Sequence, residues 1–255
     1  MNRMKGFGSV GLIALWLVVF TGSSALAQLP ISEGAFGMSV AMLKLFGSVT
    51  AFTANARVRV SDASGKESLR APMTFDVRDG RLRMDLDMAQ IQSGLVPAGA
   101  VAGLQQFGLS RLAVIVRPDK KDMLILYPDS RSYVSMPLSS EDLAAAGASV
   151  RAGKRSPEKT VVDGHVCAKN ILLLKSKSGA VLLEAVTWNA GDLKGFPVQI
   201  QMKEGGNTAL LKLSQIQILR PDSRRFEAPA GFSRYESPQA LMFALAKKRL
   251  GGAEK

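Results

Sequence analysis

The chain has one histidine and one cysteine, His165 and Cys167, and they stand two residues apart. Side chains two apart on a strand leave the same face, so a Cys/His pair is conceivable. A cysteine nucleophile also needs a third group to orient its base, and neither Val166 nor Ala168 supplies one. His165 follows Asp163-Gly164, a two-residue hairpin signal, so it reads as the first residue of a returning strand. Cys167, between Val166 and Ala168, reads as core. One imidazole excludes a multi-histidine metal centre, and one cysteine excludes an internal disulfide. Asp85 and Asp87 share a strand face with Arg81 and Arg83, the pattern of a charged, solvated surface rather than of an acid and base. "EGGN", from Glu204 to Asn207, opens no helix and supports no phosphate-binding loop. The sequence therefore predicts no catalytic residue, no metal, no cofactor and no enzyme.

What remains is apolar. In "RLRMDLDM", Leu82, Met84, Leu86 and Met88 alternate with the charged residues, the signature of a strand with one dry face. Phe196, Val198, Ile200 and Met202 alternate in the same way with Pro197, Gln199, Gln201 and Lys203. Eleven methionines against three tyrosines and two tryptophans is a notable excess. Unbranched, polarizable methionines adapt to irregular or variable contents. These eight residues are the expected lining of a cavity for an apolar ligand.

The elements that must position them are mostly strands. Phe52 to Ser61 alternates cleanly, and Met73, Phe75 and Val77 alternate up to Asp79-Gly80, which turns straight into Arg81. Ile91 to Gly108 breaks the strand pattern with Pro97, several glycines and a short helical piece, and reads as a candidate flap. "RLAVIV" and "DMLILY" are continuous apolar runs, so both of their faces must be covered, by helices or by that flap. "SSEDLAAAG" is a short helix capped by Ser139 or Ser140. Arg151 to Lys159 is polar and basic and reads as an exposed loop. In "ALLKLSQIQIL" the apolar parity changes at Ser214-Gln215, which predicts a β-bulge. Ser237 and Pro238 open a C-terminal helix that ends on Lys247, Lys248 and Arg249. Roughly eight to eleven antiparallel strands are expected, a number at which a twisted sheet curls. A further helix is expected in Glu33 to Gly47, dry on more than one side.

At the start, Arg3 and Lys5 precede the apolar run Val10 to Phe20, and Ala25-Leu26-Ala27 follows it. That order predicts a secretory signal peptide over residues 1–27, cleaved after Ala27, and a single domain over residues 28–255. The run is shorter than the roughly 20 residues of a membrane span. The formal charge is +12. For an exported chain this disfavours nucleic acid and favours acidic partners, including the surface of an anionic membrane.

The stretches "RLAVIVRPDKKDMLILYPDSRSYVSMPL", "WNAGDLKGFPVQIQ" and "RPDSRRFEAPAGFSRYESPQALM" resemble an uncharacterised family of exported bacterial proteins, a domain of unknown function. That family is similar to the periplasmic lipoprotein-carrier, LolA/LolB-like superfamily. The resemblance runs from about Phe52 to Leu245. It implies a mainly β fold with helices, a curved antiparallel sheet forming an incomplete barrel that wraps its covering helices. It implies a periplasmic location and acyl chains of lipid or lipoprotein as ligands, and it matches no functional residue one by one.

The expectation is a periplasmic carrier or sensor that binds a lipid, acyl chain or lipoprotein on the concave face of a half-open barrel. The alternative is a structural or protein-interaction module of the cell envelope, using an edge strand or the basic pair Lys154-Arg155.

Overall fold

The computed structural model describes residues 40–93, 98–204 and 206–251. The expected signal segment 1–27 and the first part of the helix expected from Glu33 lie outside these residues. The end of that helix, residues 40–43, runs into a 3-10 turn at Lys44–Phe46.

Strands follow as β1 (Ala51–Ser61), β2 (Glu67–Arg78), β3 (Arg81–Asp87) and the two-residue β4 (Gln92–Ser93), then helix α1 (Ala98–Gln106). Next come β5 (Arg111–Arg117), β6 (Asp122–Tyr127), β7 (Ser132–Pro137) and helix α2 (Ser140–Ala146). The long strands β8 (Ser149–Val162), β9 (His165–Lys175), β10 (Val181–Ala190), β11 (Phe196–Glu204) and β12 (Asn207–Gln217) precede the short β13 (Ser233–Tyr235) and helix α3 (Pro238–Gly251). All thirteen strands join one sheet in the order β13-β7-β6-β5-β3-β2-β1-β12-β11-β10-β9-β8, with β4 beside β2. Every pairing is antiparallel except β13 with β7. The sheet curves without closing into a barrel, as expected, with two more strands than the upper end of the expected range.

Local chemistry sets the register. At Asp79-Gly80 the φ angles are 52° and 78°, and at Asp163-Gly164 they are 48° and 87°. Two consecutive left-handed residues make the turn whose twist matches that of the flanking strands, and Gly adopts that conformation without steric cost. Gln215, φ 50°, is the extra residue of the expected bulge: Thr53 pairs with Gln217, yet Asn55 pairs with Ser214. Asn55 Nδ2 donates to Gln215 Oε1 at 2.6 Å across it. The bulge bends β12 and reverses the parity of its apolar residues.

Three expectations need correction. Arg151 to Lys159 is not a loop but the middle of β8, at the end of the sheet. An edge strand has one unpaired side, where charged residues and the missing amide hydrogen of Pro157 are tolerated. Met88 is not in the strand with Leu82, because β3 ends at Asp87 and Met88 begins a 3-10 turn; the Asp87 carboxylate accepts from Ala89 N and caps it. The third concerns the segment Ile91 to Gly108. Its residues 94–97 lie outside the described residues, but its second half is no free flap: Leu104 and Phe107 pack with Leu109 and with Ile125, Tyr127, Val134 and Leu241 of β6, β7 and α3.

The main core lies on the inner, concave face. Phe46, Phe52 and Phe196 meet at its centre, with Phe46 stacked on Phe196 at 5.7 Å and Phe52 edge-on to both at 4.8 Å. Ala54, Val58, Phe75, Val77, Leu82, Val114, Val116, Leu211 and Leu213 extend it across the strands. The continuous runs β5 and β6 are covered on both faces. Their outer face, Ala113, Ile115, Leu124 and Leu126, is sealed by Phe226, the last residue of the 3-10 helix Ser223–Phe226 between β12 and β13.

Helix ends carry the expected signals. Ser139 is the N-cap of α2: its Oγ accepts from Asp142 N at 3.1 Å, and Asp142 Oδ2 accepts in return from Ser139 N. Ser237 Oγ accepts from Ala240 N at 3.1 Å at the start of α3. Such caps satisfy amide hydrogens that the first helical turn leaves unpaired.

Candidate functional site

The Asp79-Gly80 hairpin places Met73 opposite Leu86, Phe75 opposite Met84 and Val77 opposite Leu82. On the far side of β3, Leu112 faces Leu86, Val114 faces Met84 and Val116 faces Leu82. Three cross-strand rows result, all on the inner face. At the hairpin end the row Val77, Leu82, Val116 is buried. Two rows further from the turn, Met73, Leu86 and Leu112 are all partly exposed, as is Met84 between them. Ile91, which follows β3, packs against the same core cluster and is also partly exposed. The inner face thus seals at one end of β3 and opens at the other.

The eight residues expected to line a cavity divide accordingly. Met84 and Leu86 belong to the partly open strip. Leu82, Phe196, Ile200 and Met202 are buried in the main core, Phe196 inside the aromatic trio. Met88 is buried at the end of β3, where its amide donates to Ser110 O at 2.7 Å. Val198 packs apart from the other three β11 residues, with Val162, Cys167 and Ala190. The cause is a register shift: Trp188 pairs with Gln199 and Asn189 with Pro197, which leaves Val198 without an opposite residue. The strip residues left out of the expected lining are Met73 and Leu112. A signal for the first was available, since a two-residue turn at Asp79-Gly80 dictates its partner.

The strip carries no charge of its own. The charges lie on the outer face, where Arg81, Arg83, Asp85 and Asp76 meet the chain between β12 and β13. Arg225 pairs with Asp76 at 2.6 Å, and Arg83 pairs with Asp85 and donates to Arg225 O at 2.9 Å. Arg81 pairs with Asp119 at 2.6 Å and with Glu227 at 3.2 Å. Arg117 joins Asp122 and Glu227, each at 2.5 Å. This face is no simple solvated surface: its ion pairs fasten the segment that carries Phe226. Burial works to raise the Glu227 carboxyl, but the Lys120 hydrogen bond and the charges of Arg117, Lys120 and Arg81 outweigh it and hold it below the usual carboxylate range.

His165 and Cys167 do not form a pair. The His165 ring binds Asp192 through Nδ1 at 2.7 Å, and Cys167 Sγ donates to the His165 backbone carbonyl at 3.4 Å. Burial pushes the Cys167 thiol up, the reverse of what a nucleophile needs. Among the described residues, no group of three or more His, Cys, Asp or Glu is placed to hold a metal ion. A surface cleft of about 670 Å³ lies between the β1–β2 and β11–β12 turns, lined by Asp62, Lys203 and Asn207 among others, and none of the eight residues reaches it.

No family model matches the chain, and no curated protein does. Solved structures do. A LolA superfamily protein from Nitrosomonas europaea is similar over 75% of this chain and 97% of its own, at 12% identity and a TM-score of 0.39. The lipoprotein LppX of Mycobacterium tuberculosis is similar over 71% of this chain and 92% of its own, at 13% identity and a TM-score of 0.35. LprF of Mycobacterium bovis is similar over 73% and 96%, at 10% identity and a TM-score of 0.37.

Proposed function

We propose that this protein is an exported, non-enzymatic carrier or sensor of the cell envelope that holds an acyl chain of a lipid or lipoprotein on the inner face of its sheet. The observation that carries the reading is the strip of Met73, Met84, Leu86 and Leu112. These apolar side chains stay partly open beside the buried row of Val77, Leu82 and Val116. An apolar surface rimmed by packed core is the place where an apolar ligand gains most from burial. Each methylene taken from water contributes about 0.8 kcal/mol, so a chain of about ten methylenes offers on the order of 8 kcal/mol before the freedom lost on binding. Methionine suits such a wall because its unbranched side chain follows contents of different shape.

The test is native mass spectrometry and lipid extraction on protein isolated from its own cells without detergent. Bound lipid should be present, and Met84→Gln with Leu86→Gln should remove it while the far-ultraviolet circular dichroism stays unchanged. A ligand-free protein that also fails to take up a fluorescent fatty acid would overturn the reading.

A further inference from the structure

Helix α3 presents two different surfaces. Leu241, Met242 and Leu245 pack against Ile125, Tyr127 and Val134 on the inner face of the sheet. On the opposite side Phe243 is 74% exposed, the most exposed of the large apolar side chains among the described residues. Lys247 lies one turn on, at the i+4 spacing that shares a helix face, whereas Lys248 lies further round the helix, at i+3 from Leu245; both are exposed. Neither lysine has an ion-pair partner among the described residues, whereas Arg249 is engaged with Gln106 and the Phe107 ring. Lysines at a helix C-terminus complement its dipole, and that alone would account for them. It does not account for an aromatic ring held in water one turn earlier on the same face.

We infer that the outward face of α3, with Phe243 as an apolar anchor and Lys247 as its cationic neighbour, docks on an anionic lipid bilayer, Lys248 adding charge at the edge of that face. Charge complementarity selects this partner: the formal charge of +12 is still +10 without Arg3 and Lys5 of the expected signal segment, and Lys247, without an ion-pair partner among the described residues, lies beside the apolar anchor. An interfacial helix of this kind combines apolar burial with attraction to anionic head groups, and neither contribution suffices alone.

The experiment uses the exported form, residues 28–255, with Phe243→Trp, read by fluorescence against the unsubstituted form so that Trp188 cancels. Vesicles are made of phosphatidylglycerol and phosphatidylethanolamine. The added indole should shift to the blue and be quenched by brominated acyl chains. Adding Lys247→Gln and Lys248→Gln should weaken binding roughly thirty-fold, at about a factor of five per lysine. No shift, or an equal shift on phosphatidylcholine vesicles, overturns the inference. So does an indole already shifted before vesicles are added in a manner that depends on protein concentration, which would mean that a second copy covers this face. Lipid capture in the absence of any shift would leave the carrier reading standing and remove only the docking.

Discussion

Arg117 and Glu227, 110 residues apart in the chain, meet at 2.5 Å on the outer face of the sheet. Arg117 also holds Asp122 through two hydrogen bonds, and only 8% of its side chain is exposed. Removing this guanidinium takes from Asp122 its ion-pair partner and leaves Glu227 to Arg81 and Lys120. Arg117→Met should cost about 3 kcal/mol in urea unfolding, and Glu227→Gln about 1.5, because the latter leaves Arg117 its second partner. Equal costs would show that Glu227, not Asp122, is the partner that matters.

Acid should loosen the same fastening. The carboxyls of Glu227 and Asp119 are worked upward by burial but held low by Lys120, Arg117 and Arg81; that of Asp222 is held down to about 2 by its hydrogen bonds to Arg224. A carboxylate whose folded value lies below its unfolded one contributes stability that is present above the unfolded value and lost as pH falls through the folded one. The urea midpoint should therefore stay flat down to about pH 5 and fall below about pH 4. Glu227→Gln should make that fall shallower.

Asp142 runs the opposite way. Burial pushes its carboxyl up, against the Ser139 hydrogen bonds, and its Oδ1 has no partner. Its protonated form favours the fold, and that contribution is lost as pH rises from the unfolded value toward the raised folded one. Asp142→Asn keeps an oxygen to accept from Ser139 without burying a charge. It should leave neutral-pH stability within about 0.5 kcal/mol or raise it, whereas Asp142→Ala should cost about 1. Thermal unfolding at neutral pH separates the two.

The graded burial along β3 gives a paired comparison. Leu82→Ala should cost about 3 kcal/mol, since its site is closed on all sides, and Leu86→Ala about 1, since its neighbours already leave it partly open. If both cost about 3, the strip is ordinary core and the proposed wall is lost.

Phe46→Ala removes the ring that joins Phe52 to Phe196 from the helical segment ahead of β1. A loss of about 4 kcal/mol is expected from calorimetry. A loss below about 1 would mean that residues 40–46 do not seal the core.

Much of this was legible in the sequence, and the limits of legibility have physical causes. The Asp79-Gly80 turn fixes the β2–β3 register, so the opposition of Met73 and Leu86 follows from the chain alone. The bulge at Gln215 announced itself through the change of parity between Leu213 and Ile216. Leu112 did not, because its pairing with Leu86 spans the irregular segment between β3 and β5, and no local turn encodes that register. Periodicity identified the dry side of β11 but not which of its side chains pack together; the shift opposite Val198 is set by neighbouring strands. The basic stretch from Arg151 to Lys159 misled because composition reports solvent contact, and an edge strand has as much of it as a loop.

One consequence concerns the order in which the molecule is made. Strands β5 and β6 are apolar on both faces; Leu104 and Phe107, made before them, cover part of the inner face, but Phe226 outside and Leu241 inside come from the last part of the chain. A growing polypeptide that already contains these strands presents a bare outer face until the last part of the chain emerges. The centre of the fold is thus finished by its end. A chain stopped short of Phe226 should aggregate rather than form a smaller version of the protein.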